Sequence, residues 1–263
     1  MTMNPRRTFL LFAVFCAAAL IGGYGSALLT TSLRAPQASA QKDSEHFQKL
    51  RDDMVRTQIA SMRWLGGDAV RDPRVLDAMR QVPRHLFVPP EIVPYAYEDR
   101  PLPIGYAQTI SQPYIVAKMT ELAQPKSGDR ALEIGTGSGY QAAVLSKLVA
   151  EVFTMEIVEP LGRQAAERLR AMGYRNVEVR IGDGYQGWPE KAPFEVILVT
   201  AAPPEIPPKL IEQLKPGGRM VVPVGELPND QWLVLITKNA KGEVRKRDVM
   251  PVRFVPMVPA KKE

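Results

Sequence analysis

Three glycines at alternate positions carry the clearest chemical signal in this sequence. Gly135, Gly137 and Gly139 follow an apolar run that ends at Ile134, and a helical pattern begins at Tyr140. Glycines at such a turn let the backbone approach a ligand closely, and the helix that follows presents free N–H groups and a positive end. The segment therefore predicts a strand–turn–helix site for a nucleotide-like cofactor.

The spacing of these glycines discriminates between cofactors. Dinucleotide sites use the pattern G-x-G-x-x-G, whereas Tyr140 stands where its third glycine would be. The segment is therefore a poor match to an NAD site. It suits S-adenosylmethionine (SAM) better, because SAM has no pyrophosphate and its amino-acid end needs a close backbone approach.

Three carboxylates accompany the glycines. Glu156 ends the next predicted strand, about 20 residues beyond Gly135, where a carboxylate can accept hydrogen bonds from both ribose hydroxyls. Asp183 and Gly184 belong to a Gly-Asp-Gly turn after the third strand, and Asp183 can accept from the adenine amino group. Glu133 lies inside the first strand, where a buried carboxylate needs a partner: backbone N–H groups or the ammonium of the cofactor. Each acid alone could be structural, but all of them follow strands in order, which favours a cofactor site.

The elements around these residues alternate between strand and helix. This alternation predicts an α/β chain with a mainly parallel sheet and helices on both faces. With a SAM site at the glycine turn, it implies the Rossmann-like SAM-dependent methyltransferase fold. The final strands have no helices between them and predict an antiparallel C-terminal edge. We expect strands at 131–134, 152–157, 177–181, 196–200, 220–224, 232–237 and 252–255, helices at 74–82, 115–123, 140–149, 161–172 and 208–214, and a turn at 215–218. The proline-rich stretch 83–114 predicts a long, irregular segment of the kind that is often functional.

Charge and composition exclude several classes of site. The net charge of +6 includes three arginines in the first 40 residues, which hold no acid, and the milder remainder does not indicate nucleic-acid binding. The basic cluster at 245–247 is interpreted as an exposed edge strand. The only cysteine is Cys16, and the only histidines are His46 and His85. We therefore expect no thiolate chemistry and no metal site.

The first 40 residues have the order of a targeting segment. Two arginines at 6 and 7 precede the apolar run 9–21, and small residues stand at Ala38 and Ala40. This order is typical of a secretory signal cleaved after Ala40. The RRTFL string resembles a twin-arginine signal in part, since Pro5 departs from that pattern.

The alternative is an uncleaved membrane anchor. Residues 9–29 are long enough to span a bilayer, although three glycines weaken that interpretation. Residues 41–263 then form one catalytic domain, with a helical and loop cap at 41–125 and a SAM-binding core at 126–263. Either interpretation predicts a periplasmic protein, free or anchored to the inner membrane.

Several strings together resemble the protein-L-isoaspartate O-methyltransferase family over about residues 48–258. They are VPRHLFVP (82–89), QTISQPY (108–114), LEIGTGSGYQAAVL (132–145), GDG (182–184), GWPEKAPF (187–194), VTAAPPEIP (199–207), LKPGGRMVVPVG (214–225) and VRFVP (252–256). One departure is Ala107, which stands before QTIS where the family has glycine.

The resemblance implies an activity and its site. The family methylates the free α-carboxylate of L-isoaspartyl residues in damaged proteins with SAM, and the ester then collapses to a succinimide that can reopen as aspartate. The serine of QTIS, which maps onto Ser111, is the active-site residue of the family. Thr109 and Thr200 are candidate substrate neighbours. Because a carboxylate acceptor is already ionised at neutral pH, the reaction needs no strong general base. We expect a monomer that acts on damaged proteins and not on nucleic acid.

Other interpretations remain open from the residues alone. A SAM enzyme could methylate a different protein or small-molecule acceptor. Enzymes that methylate nitrogen often carry an Asn/Asp-Pro-Pro-aromatic motif after the fourth strand, where this chain has AAPPE at 201–205. A SAM-binding module without activity is the third possibility, and the glycine turn together with Glu156, Asp183 and Ser111 disfavours it.

Overall fold

The computed structural model describes residues 34–61, 68–226 and 231–260, with side chains from residue 44 onward. The chain divides into two compact units, Met1–Lys42 and Asp43–Glu263. Apart from the backbone of residues 34–40, the predicted signal or anchor lies outside the described residues, as does Cys16. Among the described residues, no helix combines the length and the apolar character that crossing a bilayer requires.

A seven-stranded sheet forms the centre of the second unit. Its strands are β3 (Arg130–Ile134), β4 (Glu151–Glu156), β5 (Val177–Ile181), β6 (Phe194–Val199), β7 (Leu214–Val224), β8 (Gln231–Lys238) and β9 (Val244–Val252). Their order across the sheet is β5-β4-β3-β6-β7-β8-β9, with parallel pairing from β5 to β7 and antiparallel pairing from β7 to β9. The central strands are apolar and buried on both faces, as parallel strands covered by helices require. The predicted fold class is confirmed.

Six α-helices accompany the strands in the described ranges. They are α1 (Arg34–Asp53), α2 (Pro73–Gln81), α3 (Pro113–Ala123), α4 (Tyr140–Leu145), α5 (Glu159–Ala171) and α6 (Pro208–Gln213). Helix α2 begins as predicted, with the Asp72 side chain accepting the Arg74 N–H and proline at the first helical position. Helix α4 ends four residues before the predicted 149, because Lys147 and Leu148 make tighter i→i−3 hydrogen bonds.

The C-terminal strands differ from the predicted ones. Residues 215–218, predicted as a turn, lie inside β7 as an irregularity between the pairs Phe194–Leu214 and Val196–Arg219. The strand predicted at 252–255 is wrong, since β9 ends at Val252. The backbone beyond it bonds to Ala202 and to the Gln231 side chain instead of a strand ladder. The basic residues 245–247 lie exposed in the edge strand β9, as expected.

The proline-rich segment before α3 is more ordered than predicted. It contains 3-10 turns at Arg84–Phe87 and Pro90–Tyr95, and then a hairpin of β1 (Leu102–Gly105) and β2 (Gln108–Ile110). Phe87 packs edge-on against Tyr140 of α4, with ring centroids 5.5 Å apart. Both rings belong to one apolar cluster that joins this segment to the sheet. The hairpin therefore has a fixed base next to the glycine turn.

Candidate functional site

A cleft of about 860 Å³ lies at the carboxyl ends of β3, β4 and β6. Ligands of open α/β sheets bind at such strand ends. The glycine turn, the two buried glutamates, the hairpin strand β2 and the C-terminal segment all face it. Its lining consists of residues 108–111, 116, 133–138, 140–141, 155–158, 182, 184, 200–201 and 255–258.

The glycine turn has a backbone that only glycine adopts easily. Gly135, Gly137 and Gly139 have φ of +99°, +54° and +91°. A Cβ on Gly135 would lie 2.4 Å from the Thr200 hydroxyl oxygen, so the turn also needs the space. Gly139 does not line the cleft and is the N-cap residue of α4. The glycines shape a cradle whose backbone can approach a ligand closely.

Glu156 is buried at the end of β4 and holds two backbone donors. Its Oε2 accepts from the Gly137 N–H at 2.8 Å and its Oε1 accepts from the Val158 N–H at 3.0 Å. A Cβ on Gly162 of α5 would lie 2.3 Å from the Ile181 side chain and 3.0 Å from the Glu156 Cβ, so this glycine leaves room for both side chains. Sequence reasoning missed Gly162, because nothing local marks a helical glycine as a contact of a distant strand end.

Glu133 is fully buried, and one of its oxygens lacks a partner. Oε2 accepts from the Thr154 hydroxyl at 2.5 Å, while Oε1 has no hydrogen-bond partner among the described residues. The Thr154 hydroxyl lies 2.7 Å from that of Thr136. Burial, with a smaller contribution from the nearby Glu156, raises the pKa of Glu133 to about 8, against the lowering effect of the Thr154 hydrogen bond. Of the two kinds of donor expected for Glu133, backbone N–H groups bond to neither oxygen within the described ranges, where the Thr154 hydroxyl is the donor, and the cofactor's ammonium stays a prediction.

Asp183 makes a local contact. Its Oδ1 accepts the Tyr185 N–H at 2.9 Å, as an acid at the start of a helical turn commonly does. Gly182 and Gly184 line the cleft, whereas Asp183 does not. A Cβ on Gly184 would lie 2.3 Å from the Ile134 side chain, so only glycine lets this turn pack against β3. The contact of Asp183 with adenine stays a prediction.

A second cleft of about 1130 Å³ opens beside the first, and its lining is mostly apolar. It consists of residues 101, 109, 111–112, 114–115, 200 and 250–255. Thr109, Ser111, Thr200 and Val255 line both clefts. The three predicted substrate neighbours therefore lie together where the clefts meet. The sequence patterns do not predict that residues 250–258 line the clefts, although the VRFVP string at 252–256 belongs to the family resemblance.

Thr200 has a structural bond as well as a place in the lining. Its hydroxyl donates to the carbonyls of Ile134 and Gly135, at 3.0 and 2.7 Å. The Thr200 hydrogen is therefore shared between two backbone acceptors that fix the start of the glycine turn. Ser111, which is half-buried, is the better placed hydroxyl for an incoming ligand.

The first cleft fits the chemistry of SAM. The Glu133 oxygen that has no partner among the described residues can accept from an ammonium, Glu156 lines the cleft and can accept from ribose hydroxyls, and the cradle at Gly135 excludes any side chain. In the described ranges, no group of three or more His, Cys, Asp or Glu side chains is placed to hold a metal ion.

Comparisons with known proteins agree on one family. A model of the protein-L-isoaspartate(D-aspartate) O-methyltransferase family matches residues 61–262. Protein-L-isoaspartate O-methyltransferase 1 of Cupriavidus necator is 57% identical over 212 residues, 79% of this chain and 82% of the relative. The protein-L-isoaspartate O-methyltransferase of a Synechococcus species is 56% identical over 221 residues, 82% of this chain and 88% of the relative.

A solved structure from Plasmodium falciparum gives the same result. It is assigned as a protein-L-isoaspartate O-methyltransferase in complex with S-adenosyl-L-homocysteine. Its TM-score is 0.66 at 25% identity, over 81% of this chain and 98% of that one.

Proposed function

This chain belongs to the protein-L-isoaspartate(D-aspartate) O-methyltransferase family, and we propose that it carries out the family's reaction where its two clefts meet. The enzyme transfers a methyl group from SAM to the free α-carboxylate of L-isoaspartyl residues in damaged proteins. In this proposal the first cleft is the cofactor cleft, which holds SAM, and the second, mostly apolar cleft is the acceptor cleft, which holds the damaged peptide. The proposal rests on the observation that Thr109, Ser111 and Thr200 line both clefts.

The cofactor end of the site consists of buried acceptors and a bare backbone. When bound, SAM supplies a methyl group on a sulfonium that is its own leaving group. Glu133 has a free oxygen for the cofactor's ammonium, and Glu156 has lone pairs left for ribose hydroxyls. The turn at Gly135 and Gly137 fixes where the amino-acid end lies.

The acceptor end needs orientation more than acid–base chemistry. An isoaspartyl carboxylate is ionised at neutral pH, so its oxygen can attack without losing a proton first. Ser111 donates a hydrogen bond to one carboxylate oxygen and turns the other toward the methyl carbon. The apolar walls of the second cleft exclude water from that line of attack. Positioning of this kind can supply a large part of the barrier reduction.

The chemistry of the product tests this assignment. Incubation with SAM and an isoaspartyl peptide should give a methyl ester that base hydrolyses to methanol. An enzyme that methylates nitrogen would give a base-stable product. SAM binding measured by calorimetry, with no ester formed on the isoaspartyl peptide, would overturn the proposed function.

The location is a separate proposal that rests on the first 40 residues. We propose that the enzyme works in the periplasm, either free after cleavage at Ala40 or anchored to the inner membrane through residues 9–29. It acts there as a monomer on damaged proteins. The N-terminal mass of the native protein tests the first form, which predicts a chain starting at Gln41. A native chain that keeps residues 9–29 and fractionates with the cytoplasm would overturn both forms.

A further inference from the structure

Asp99 lies just before the hairpin and lines neither cleft, yet its carboxylate accepts hydrogen bonds from two residues of the active-site loop. Its Oδ1 accepts the Tyr114 N–H at 2.8 Å, and its Oδ2 accepts the Gln112 side-chain amide at 2.7 Å. Ser111 directly precedes these residues. One half-buried acid thus fixes the segment that follows the serine.

The bond to Tyr114 substitutes for a missing helix cap. Gln112 is the N-cap residue of α3, and its side chain makes no capping hydrogen bond. The first N–H groups of a helix need acceptors, and a carboxylate at a helix N-terminus is also favoured by the helix dipole. Asp99 supplies that acceptor from 15 positions earlier in the chain.

Burial and the neighbouring groups act on the Asp99 carboxylate in opposite directions. Burial raises the pKa of Asp99 and outweighs the hydrogen bonds from Gln112 and Tyr114 and the charge of Arg84, which lower it. Arg84 is fully buried, and its terminal nitrogens have no hydrogen-bond partner among the described residues. The hydrogen bonds and this cation therefore offset part of the cost of burying Asp99, and what the loop takes from Asp99 is a hydrogen-bond acceptor.

We propose that Asp99 is a positioning residue for methyl transfer, which holds the loop 111–114 so that the Ser111 hydroxyl points to the meeting of the two clefts. This role rests on the proposed function, because it concerns how the peptide carboxylate is oriented. Gln112 and Tyr114 line only the acceptor cleft. Loss of Asp99 should therefore disturb the peptide and leave the cofactor in place.

Kinetics of Asp99→Ala against SAM binding test the proposal. We expect kcat/KM for an isoaspartyl peptide to fall about tenfold or more, since small displacements of orienting groups have large kinetic effects. The Kd for SAM should stay within about twofold. Asp99→Asn should recover most of the loss, because its amide can accept from Tyr114 and donate to a reoriented Gln112 amide. Glu98→Ala is the matched control, since Glu98 is exposed and forms an ion pair with the exposed Arg100.

Each outcome decides the proposal. A kcat/KM for the peptide within about twofold of wild type in Asp99→Ala, or a proportional loss of SAM affinity, would overturn it. If that variant does not fold, Gln112→Met removes one of the two bonds and should still lower kcat/KM for the peptide severalfold; an unchanged kcat/KM would overturn the proposal. Where both fold, the double variant should be no worse than Asp99→Ala alone, as residues acting through one contact are not additive. Failure of the wild-type enzyme to methylate the peptide would instead refute the proposed function.

Discussion

At the residue scale, two glutamates share the cofactor cleft but differ in how they are satisfied. Both oxygens of Glu156 accept backbone N–H groups, while one buried oxygen of Glu133 has no hydrogen-bond partner in the part of the chain that the structure describes. An unsatisfied buried acceptor costs about 1–3 kcal/mol, so its persistence needs a reason. A cationic ligand group supplies one. A bound cofactor would therefore supply the hydrogen-bond donor that this buried oxygen needs.

Glu133 should make the stability of the cofactor-free enzyme depend on pH. Its folded-state pKa of about 8 exceeds its ordinary value of 4.5, so folding takes up a proton between those values. The stabilising contribution of the protonated acid is complete below about pH 4.5 and is lost as pH rises to about 8. Denaturant unfolding from pH 5 to 8 should show wild type losing stability relative to Glu133→Gln. Parallel curves would contradict the assignment.

Ser111→Ala should separate catalysis from cofactor binding. Removing one orienting hydroxyl should lower kcat for an isoaspartyl peptide by about tenfold or more, as loss of a single positioned donor commonly does. The affinity for SAM, measured by calorimetry, should remain within about twofold, because the glycine turn and both glutamates are untouched. Unchanged turnover would remove the role given to this serine.

At the scale of elements, the hairpin β1–β2 brings the serine segment to the cofactor. Ile104 of β1 lies 3.4 Å from where a Cβ on Gly137 would stand, so the hairpin packs on the glycine turn. Its tip residues Tyr106 and Ala107 have φ of +53° and +56°, as a type I′ turn requires. Such angles are costly for residues with a Cβ. At this tip, Ala107 stands where the family pattern has glycine, and its positive φ is one that disfavours a side chain.

Ala107→Gly should therefore stabilise the enzyme. Relief of the left-handed angle should raise the free energy of unfolding by about 0.5–1 kcal/mol, with activity unchanged or higher. Ala107→Val is the opposing control, since a β-branched side chain is strongly disfavoured at positive φ. Urea unfolding and peptide methylation measure the two effects. A large loss of activity in Ala107→Gly would show that the loop has been misinterpreted.

Patterns along the chain predicted some of these elements and not others. The parallel strands, the N-cap at Asp72 and the glycine turn follow from local periodicity and residue type. The hydroxyl of Thr200 and the carboxylate of Asp99 act on backbone far away in sequence, which no local pattern encodes. The register of β7 and the end of β9 were missed for the same reason, because both depend on partners elsewhere in the sheet.

At the scale of the whole molecule, the cap and the sheet share one apolar cluster. It runs from Met54 and Phe87 in the cap through Tyr140 to Leu235 in the sheet. The acceptor cleft lies between cap residues such as Tyr114 and the C-terminal segment at Phe254. A peptide in that cleft would contact both parts at once. The shared apolar cluster therefore holds in place the two walls, cap and C-terminal segment, between which a peptide would bind.

One measurement tests the central claim most directly. Two synthetic peptides of identical composition, one with an L-isoaspartyl linkage and one with normal aspartate, are incubated with the purified enzyme and SAM labelled in its methyl group. We expect base-labile label on the isoaspartyl peptide and none on its aspartyl isomer, because only the former presents a free α-carboxylate. Equal labelling of both peptides, or of neither while SAM still binds, would contradict the account.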